Sequence, residues 1–153
     1  MSSLNLKIPP PVIMVICMAL AWVVARSTPG FTYLLPARIT ITMILVLAGL
    51  SLALSGFFAF RKAKTTLNPH TPEKSTSIVR SGPYGFSRNP MYLGLAFTLL
   101  GFCAYFANPL TFVAVVAFVA YITRFQIMPE ERVLLEMFGE SYAQYTRSVR
   151  RWI

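Results

Sequence analysis

Two short clusters in this 153-residue chain hold side chains able to do chemistry. The first is Gly82-Pro83-Tyr84-Gly85-Phe86-Ser87-Arg88-Asn89-Pro90-Met91-Tyr92-Leu93-Gly94; the second, about forty residues on, is Pro129-Glu130-Glu131-Arg132. Both sit where long apolar runs begin or end. Two carboxylates, two tyrosines, an arginine and an asparagine gathered there suit a polar, cationic small molecule held beside a lipid-soluble one. For a cation such as a sulfonium, an aromatic face and a carboxylate give cation–π attraction and charge compensation together. Simpler explanations stand beside this one. Tyr84 and Tyr92 also fit an interfacial aromatic belt. Glu130 and Glu131 also fit the first turn of a helix, where acids favour the dipole and Pro129 is tolerated. Arg124, on one face with Ala117, Tyr121 and Met128, can capture an anionic group by a two-bond fork or snorkel to the interface.

The elements that must place these residues are apolar helices. With 56% apolar and 12% charged residues the composition is far from that of a soluble domain. Four windows stand out: Pro11 to Val24, Ala37 to Phe60, Met91 to Ala107, and Pro109 to about Met128. The second is the surest span, its 24 residues making roughly 36 Å of helix. The first follows Pro9-Pro10-Pro11 and competes with a cleavable signal peptide, but its leading region holds only Lys7 and no small-x-small site follows. Asn108-Pro109 leaves room only for a tight turn, so windows three and four are expected to form an antiparallel hairpin. The expectation is an all-α helical membrane bundle: four spans and a C-terminal amphipathic helix in one domain. Residues 1–60 carry two spans, 61–90 a cytoplasmic loop, and 91–153 the hairpin and last helix.

A net charge of +9 raises the question of nucleic acid, and the placement of the charges answers it. Lys7 precedes the first span; Arg26 and Arg38 follow it; six basic residues lie from Arg61 to Arg88 and five from Arg124 onward. Four spans put the rich groups on one side, which the positive-inside rule makes cytoplasmic, with both termini there. Arg61, Lys62 and Lys64 suit anionic lipid headgroups. The expectation is therefore a multi-pass plasma-membrane protein of prokaryotic type with a lipid or lipophilic partner and no nucleic acid.

Within the spans, Gly49, Ala53 and Gly56 share one helical face and Gly94, Thr98 and Gly101 another, for close helix approach or for a thin lipid chain. Residues from Arg61 to Ser87 form a long polar loop without apolar period, ending in turn chemistry at Gly82-Pro83 and Gly85. The last segment, Glu130 to about Val149, projects as one amphipathic helix. Its apolar stripe is Leu134, Met137, Phe138, Tyr142, Tyr145 and Val149, joined by Glu130 and Glu131; Arg132, Glu136, Glu140 and Arg147 lie opposite, with Arg132 and Glu136 spaced to pair. Two carboxylates on a packed face need donors or cations. Cys17 and Cys103 lie in apolar windows as small hydrophobes, and His70 in Asn68-Pro69-His70-Thr71-Pro72 reads as a loop residue, so neither a disulfide nor a metal site is indicated.

The run Ser81-Gly82-Pro83-Tyr84, then Ser87-Arg88-Asn89-Pro90-Met91-Tyr92-Leu93-Gly94, the hairpin, and Glu130-Glu131-Arg132 with Leu135, Phe138-Gly139, Tyr142 and Tyr145 resembles the membrane-embedded isoprenylcysteine carboxyl methyltransferases and related phospholipid methyltransferases. The resemblance covers about residues 65 to 151. It implies methyl transfer from S-adenosylmethionine to a lipophilic acceptor. By the same resemblance the cofactor would be held by Tyr84, by Arg88, Asn89, Pro90, Met91 and Tyr92, and by Glu130 and Glu131. Two positions depart from the family pattern. Asn89 stands where the eukaryotic members carry histidine, and an amide cannot carry a proton near neutral pH. Gln126 stands where prenylcysteine enzymes place a substrate arginine, leaving Arg124 as the candidate anchor for the acceptor. A strand-Gly-x-Gly-x-x-Gly signature is missing, so the soluble dinucleotide type of site does not apply. A carboxyl O-methyltransferase is the leading expectation, with an amino-headgroup phospholipid N-methyltransferase second and a non-enzymatic transporter or assembly subunit as the contrast from another class.

Overall fold

The computed structural model describes residues 6–63 and 78–153. Lys64 and the stretch around His70 lie outside the described residues. The described residues are helical and turn structure throughout, with no strand among them.

Proline sets the starts. Helix α1, Pro10–Ser27, opens on the proline run and closes where Thr28 bonds back to the Val24 carbonyl through its hydroxyl at 2.6 Å. Helix α2, Arg38–Lys62, enters through Ala37 in the left-handed region. Helix α3, Pro90–Phe106, again begins on proline and ends at Ala107, left-handed at φ 48°. Asn108 is buried in the expected tight turn. Its amide donates to the Thr28 carbonyl and hydroxyl, both at 2.9 Å, and its oxygen accepts from Leu110 N at 3.0 Å. After a 3₁₀ turn, Pro109–Phe112, comes α4, Val113–Ile122.

The spans run up and down. Near one end Tyr33 N bonds the Ala107 carbonyl at 2.9 Å, Thr42 reaches the Gly101 carbonyl at 3.2 Å, and Arg38 lies over the Tyr105 ring. Near the other end Gly56 meets Met91, and Phe60 packs edge-on against Tyr84 at 5.1 Å. Helix α3 is central. Its Ala96, Leu99 and Cys103 join Ile13, Cys17 and Ala21 of α1 and Ala114, Phe118 and Ile122 of α4 in one core. On its other side the small-residue stripes meet each other. A Cβ on Gly49 would lie 2.5 Å from the Gly94 carbonyl oxygen and 2.6 Å from Thr98 Oγ1, and one on Gly94 would strike the Gly49 carbonyl. Both stripes therefore serve backbone-to-backbone approach of α2 and α3.

Helices α1, α2 and the continuous stretch Pro109–Phe138 are long and apolar enough to cross a membrane, and α3 is a shorter apolar helix. Large apolar side chains point outward along them; Leu47 is 58% and Val116 67% exposed. Such a surface requires hydrocarbon rather than water around it. The chain is an integral membrane protein built as a helical bundle.

The last third departs from the sequence expectation in three ways. The fourth span does not stop near Met128 to let a new helix begin at Pro129. A π-helical turn, Thr123–Ile127, carries α4 directly into α5, Met128–Phe138, and the Met128 amide bonds the Thr123 carbonyl. Glu130 and Glu131 thus sit inside a continuing helix and cap no free N-terminus. Secondly, the amphipathic segment is two helices. Gly139, at φ 50° and ψ −127°, breaks it, and α6, Glu140–Ser148, turns away; this positive φ is cheap only for glycine. The break still lets Leu134, Phe138, Tyr142, Tyr145 and Val149 cluster with Ile78, while Met137 of the expected stripe faces out. Thirdly, the exposed ion pair among the described residues is Arg147 with Glu140 at 3.3 Å, and the helical spacing of Arg132 and Glu136 forms no pair.

Candidate functional site

Two walls face one another at the end of the bundle where α2 finishes and α3 starts. One is the turn Gly82–Gly85 with residues 86–92; the other is the π turn and α5. On the first wall, Tyr84 is buried, packed on Phe60, and its carbonyl accepts from the Tyr145 hydroxyl at 2.8 Å. Ser87, fully buried, accepts from Asn89 N at 3.2 Å and fixes the turn into Pro90, itself buried. Burial pushes the Tyr84 phenol well above its ordinary range. Tyr84 is thus a buried, protonated side chain packed on Phe60.

The adjacent acids have different surroundings. Glu130 Oε1 accepts from the Tyr92 hydroxyl at 2.6 Å and from Gln126 Nε2 at 2.7 Å, both neutral donors. Glu131 is gripped by two guanidiniums. Arg151 donates Nε to Oε1 at 3.1 Å and Nη2 to Oε2 at 2.7 Å, and Arg88 Nη2 lies 3.1 Å from Oε1. Arg88 and Glu131 are largely withdrawn from solvent, with side-chain exposures of 11% and 17%. Pairing with Glu131 raises the Arg151 guanidinium further above its already high value. Arg88 Nε is buried without a partner among the described residues.

Beside this pair opens a groove of about 690 Å³, a size suited to a cofactor-sized molecule. Arg88, Met128, Glu131, Leu135, Tyr142 and Arg151 are among its lining residues, with Arg132 and Arg147 at its polar side. Tyr142 is buried, and desolvation with the Glu131 charge holds its phenol protonated. A ligand here meets cations, one carboxylate, an aromatic ring and three apolar side chains.

Of the residues singled out from sequence, the structure brings Arg88, Asn89, Tyr92, Glu130 and Glu131 together. Pro90 and Met91 form the start of α3, Met91 filling the space over Gly56. Arg124 is exposed on the π turn and does not line the groove. Gln126 is buried and turned onto Glu130 instead. Sequence reasoning missed Gln126 as a partner, and it missed Arg151 entirely. The arginine follows α6 in a short run without periodicity, so nothing local marks it; only the fold returns it to Glu131.

A family model described as phospholipid methyltransferase matches residues 37–141, from the start of α2 into α6, including both clusters. The chain belongs to the phospholipid methyltransferase family. Among curated proteins, the methyltransferase is 32% identical over 80 residues to the protein-S-isoprenylcysteine O-methyltransferase of Saccharomyces cerevisiae, a match spanning 50% of this chain and 32% of the yeast enzyme. It is 40% identical over 63 residues to an uncharacterized protein of Haemophilus influenzae, covering 41% of this chain and all of that protein. No solved structure matches it. As a membrane methyltransferase the chain requires a methyl donor.

Proposed function

We propose that the protein transfers a methyl group from S-adenosylmethionine to a lipophilic acceptor at the membrane interface. The observation that carries this reading is the groove beside Glu131. Its donor set suits the cofactor. Arg88, whose guanidinium lines the groove, would hold a carboxylate, while Glu131 and Tyr142 would face an ammonium or hydroxyl groups. Met128 and Leu135 offer an apolar surface for a flat base.

When bound, the cofactor supplies a methyl group on a positive sulfur, open to in-line displacement by the acceptor. The chain's own residues would then orient two molecules and exclude water. Glu130, held by Tyr92 and Gln126, would present a fixed carboxyl group beside the start of α3. Asn89 spends its amide on a main-chain carbonyl, so proton transfer is not its part.

Two acceptor classes remain in play. The yeast relative favours a carboxylate, which needs no base. An amine headgroup is favoured by Glu130, a carboxyl group whose donors are both neutral, and by Gln126 at the place of the prenylcysteine arginine. Arg124 would anchor an anionic acceptor only from outside the groove.

The deciding experiment is calorimetric titration of the detergent-purified protein with S-adenosylhomocysteine. Saturable binding is expected, and its absence would overturn the donor assignment. Alkali treatment of the methylated lipid product separates the acceptors, because esters hydrolyse and methylamines persist.

A further inference from the structure

We propose that Arg150–Trp152 is a clip that assembles the groove, with Arg151 the positioning residue for Glu131; the expected effect on cofactor affinity rests on the methyl-transfer reading above. Three consecutive residues reach three separate pieces of the site. The Arg150 carbonyl accepts from Arg88 N at 3.0 Å. The Arg151 carbonyl accepts from Asn89 Nδ2 at 2.9 Å, while its guanidinium takes both oxygens of Glu131. Trp152 Nε1 donates to Thr123 Oγ1 on the π turn at 3.1 Å.

Directly between the walls, the Tyr92 hydroxyl reaches Glu130, and Glu131 is met only by a single nitrogen, Arg88 Nη2 on Oε1. One such bond leaves the carboxylate free to rotate, whereas a forked grip on both oxygens fixes its plane. Arg151 therefore determines how Glu131 presents to the groove. The main chain of the same two residues fixes the Arg88-Asn89 turn opposite. This gives Asn89 a task that needs an amide donor and no proton chemistry. It also divides labour between the two acids. Two guanidiniums neutralise Glu131, which sets geometry, while Glu130 has only the neutral donors Tyr92 and Gln126.

The test uses the full chain in detergent without ligand, comparing amide hydrogen exchange in peptides covering residues 84–92 with peptides around the Gly49–Gly94 contact. In Arg151→Gln, exchange at the turn should rise about tenfold over the parent while the α2–α3 contact is unchanged, and S-adenosylhomocysteine should bind about tenfold more weakly, the loss of one charged hydrogen-bonding group. Arg151→Lys keeps the charge and loses the fork, and should fall between. Unchanged exchange at 84–92 in both variants overturns the clip. Faster exchange with undiminished affinity overturns the positioning role of Arg151. If Arg151→Gln loosens all helices alike, Arg151→Lys decides, and a uniform change there also counts against the clip. A parent protein that fails to bind S-adenosylhomocysteine refutes the donor reading and leaves the exchange comparison to decide the clip.

Discussion

Glu130 and Glu136 are separated by less than two helical turns yet face opposite surroundings, one hydrogen-bonded by Tyr92 and Gln126 and the other exposed. Glu130→Gln should therefore weaken S-adenosylhomocysteine binding about ten- to hundredfold, about 1.5 to 3 kcal/mol, whereas Glu136→Gln should leave it unchanged. Titration of both folded variants checks this, and equal affinities would refute the assignment. Tyr145 permits a second measurement. Burial pushes its phenol up to about 12 from an ordinary 10.0. The folded state thus holds the proton more tightly, so its contribution to stability is complete below about pH 10 and lost as pH rises through about 12. Tyr145→Phe should remove that alkaline loss and, by stranding the Tyr84 carbonyl, cost about 1 to 3 kcal/mol at neutral pH, read by thermal unfolding. At this scale the sequence was legible where residues are neighbours in the chain. Tyr92, Arg88 and the acid pair could be singled out by type and setting. Which acid receives which partner was not legible, because the deciding groups, Gln126 and Arg151, are chosen by a helical turn of irregular pitch and by a returning segment.

Helices were legible for a related reason. An apolar run bounded by proline or by polar turn residues has few other uses, and the first three windows appear within a few residues of where composition puts them, while the fourth starts as expected and runs on to Phe138. The small-residue stripes were correct as faces, and the structure resolves their use as packing. Gly49→Ala should destabilise the bundle by about 1 to 3 kcal/mol through overpacking against the α3 backbone. Gly30→Ala, with nothing within 4 Å of the new carbon, should leave the unfolding temperature unchanged. What the pattern hid was continuity. Pro129 looks like a helix start, yet in the fold it sits after the π turn and its missing N–H leaves the Phe125 carbonyl to the Leu6 amide at 3.0 Å. Proline thus marks a docking point rather than a boundary. The fracture at Gly139 was equally hidden, since a single glycine in an amphipathic pattern signals a break no more than a tolerated weakness.

For the whole molecule, most of the basic side chains among the described residues lie at the groove's end of the bundle, with Arg26 and Arg38 at the other, and the positive-inside rule then predicts a cytoplasmic groove. Single cysteines at Ser81 and Leu34, both exposed and at opposite ends, should then differ: an impermeant thiol reagent added to intact cells should modify Leu34→Cys and spare Ser81→Cys. Modification of Ser81→Cys alone would reverse the orientation. The native Cys17 and Cys103 are buried and give little background. The contacts of Arg150, Arg151 and Trp152 bear also on how the protein is made. Synthesis runs from α1 onward, so the spans can enter the bilayer and α2 can pair with α3 before residue 150 has been added. During that interval the Arg88-Asn89 turn lacks its main-chain acceptors and Glu131 lacks its forked partner. A nascent chain halted at Val149 would be a membrane-inserted bundle with an unfinished groove, its maturation timed by the ribosome.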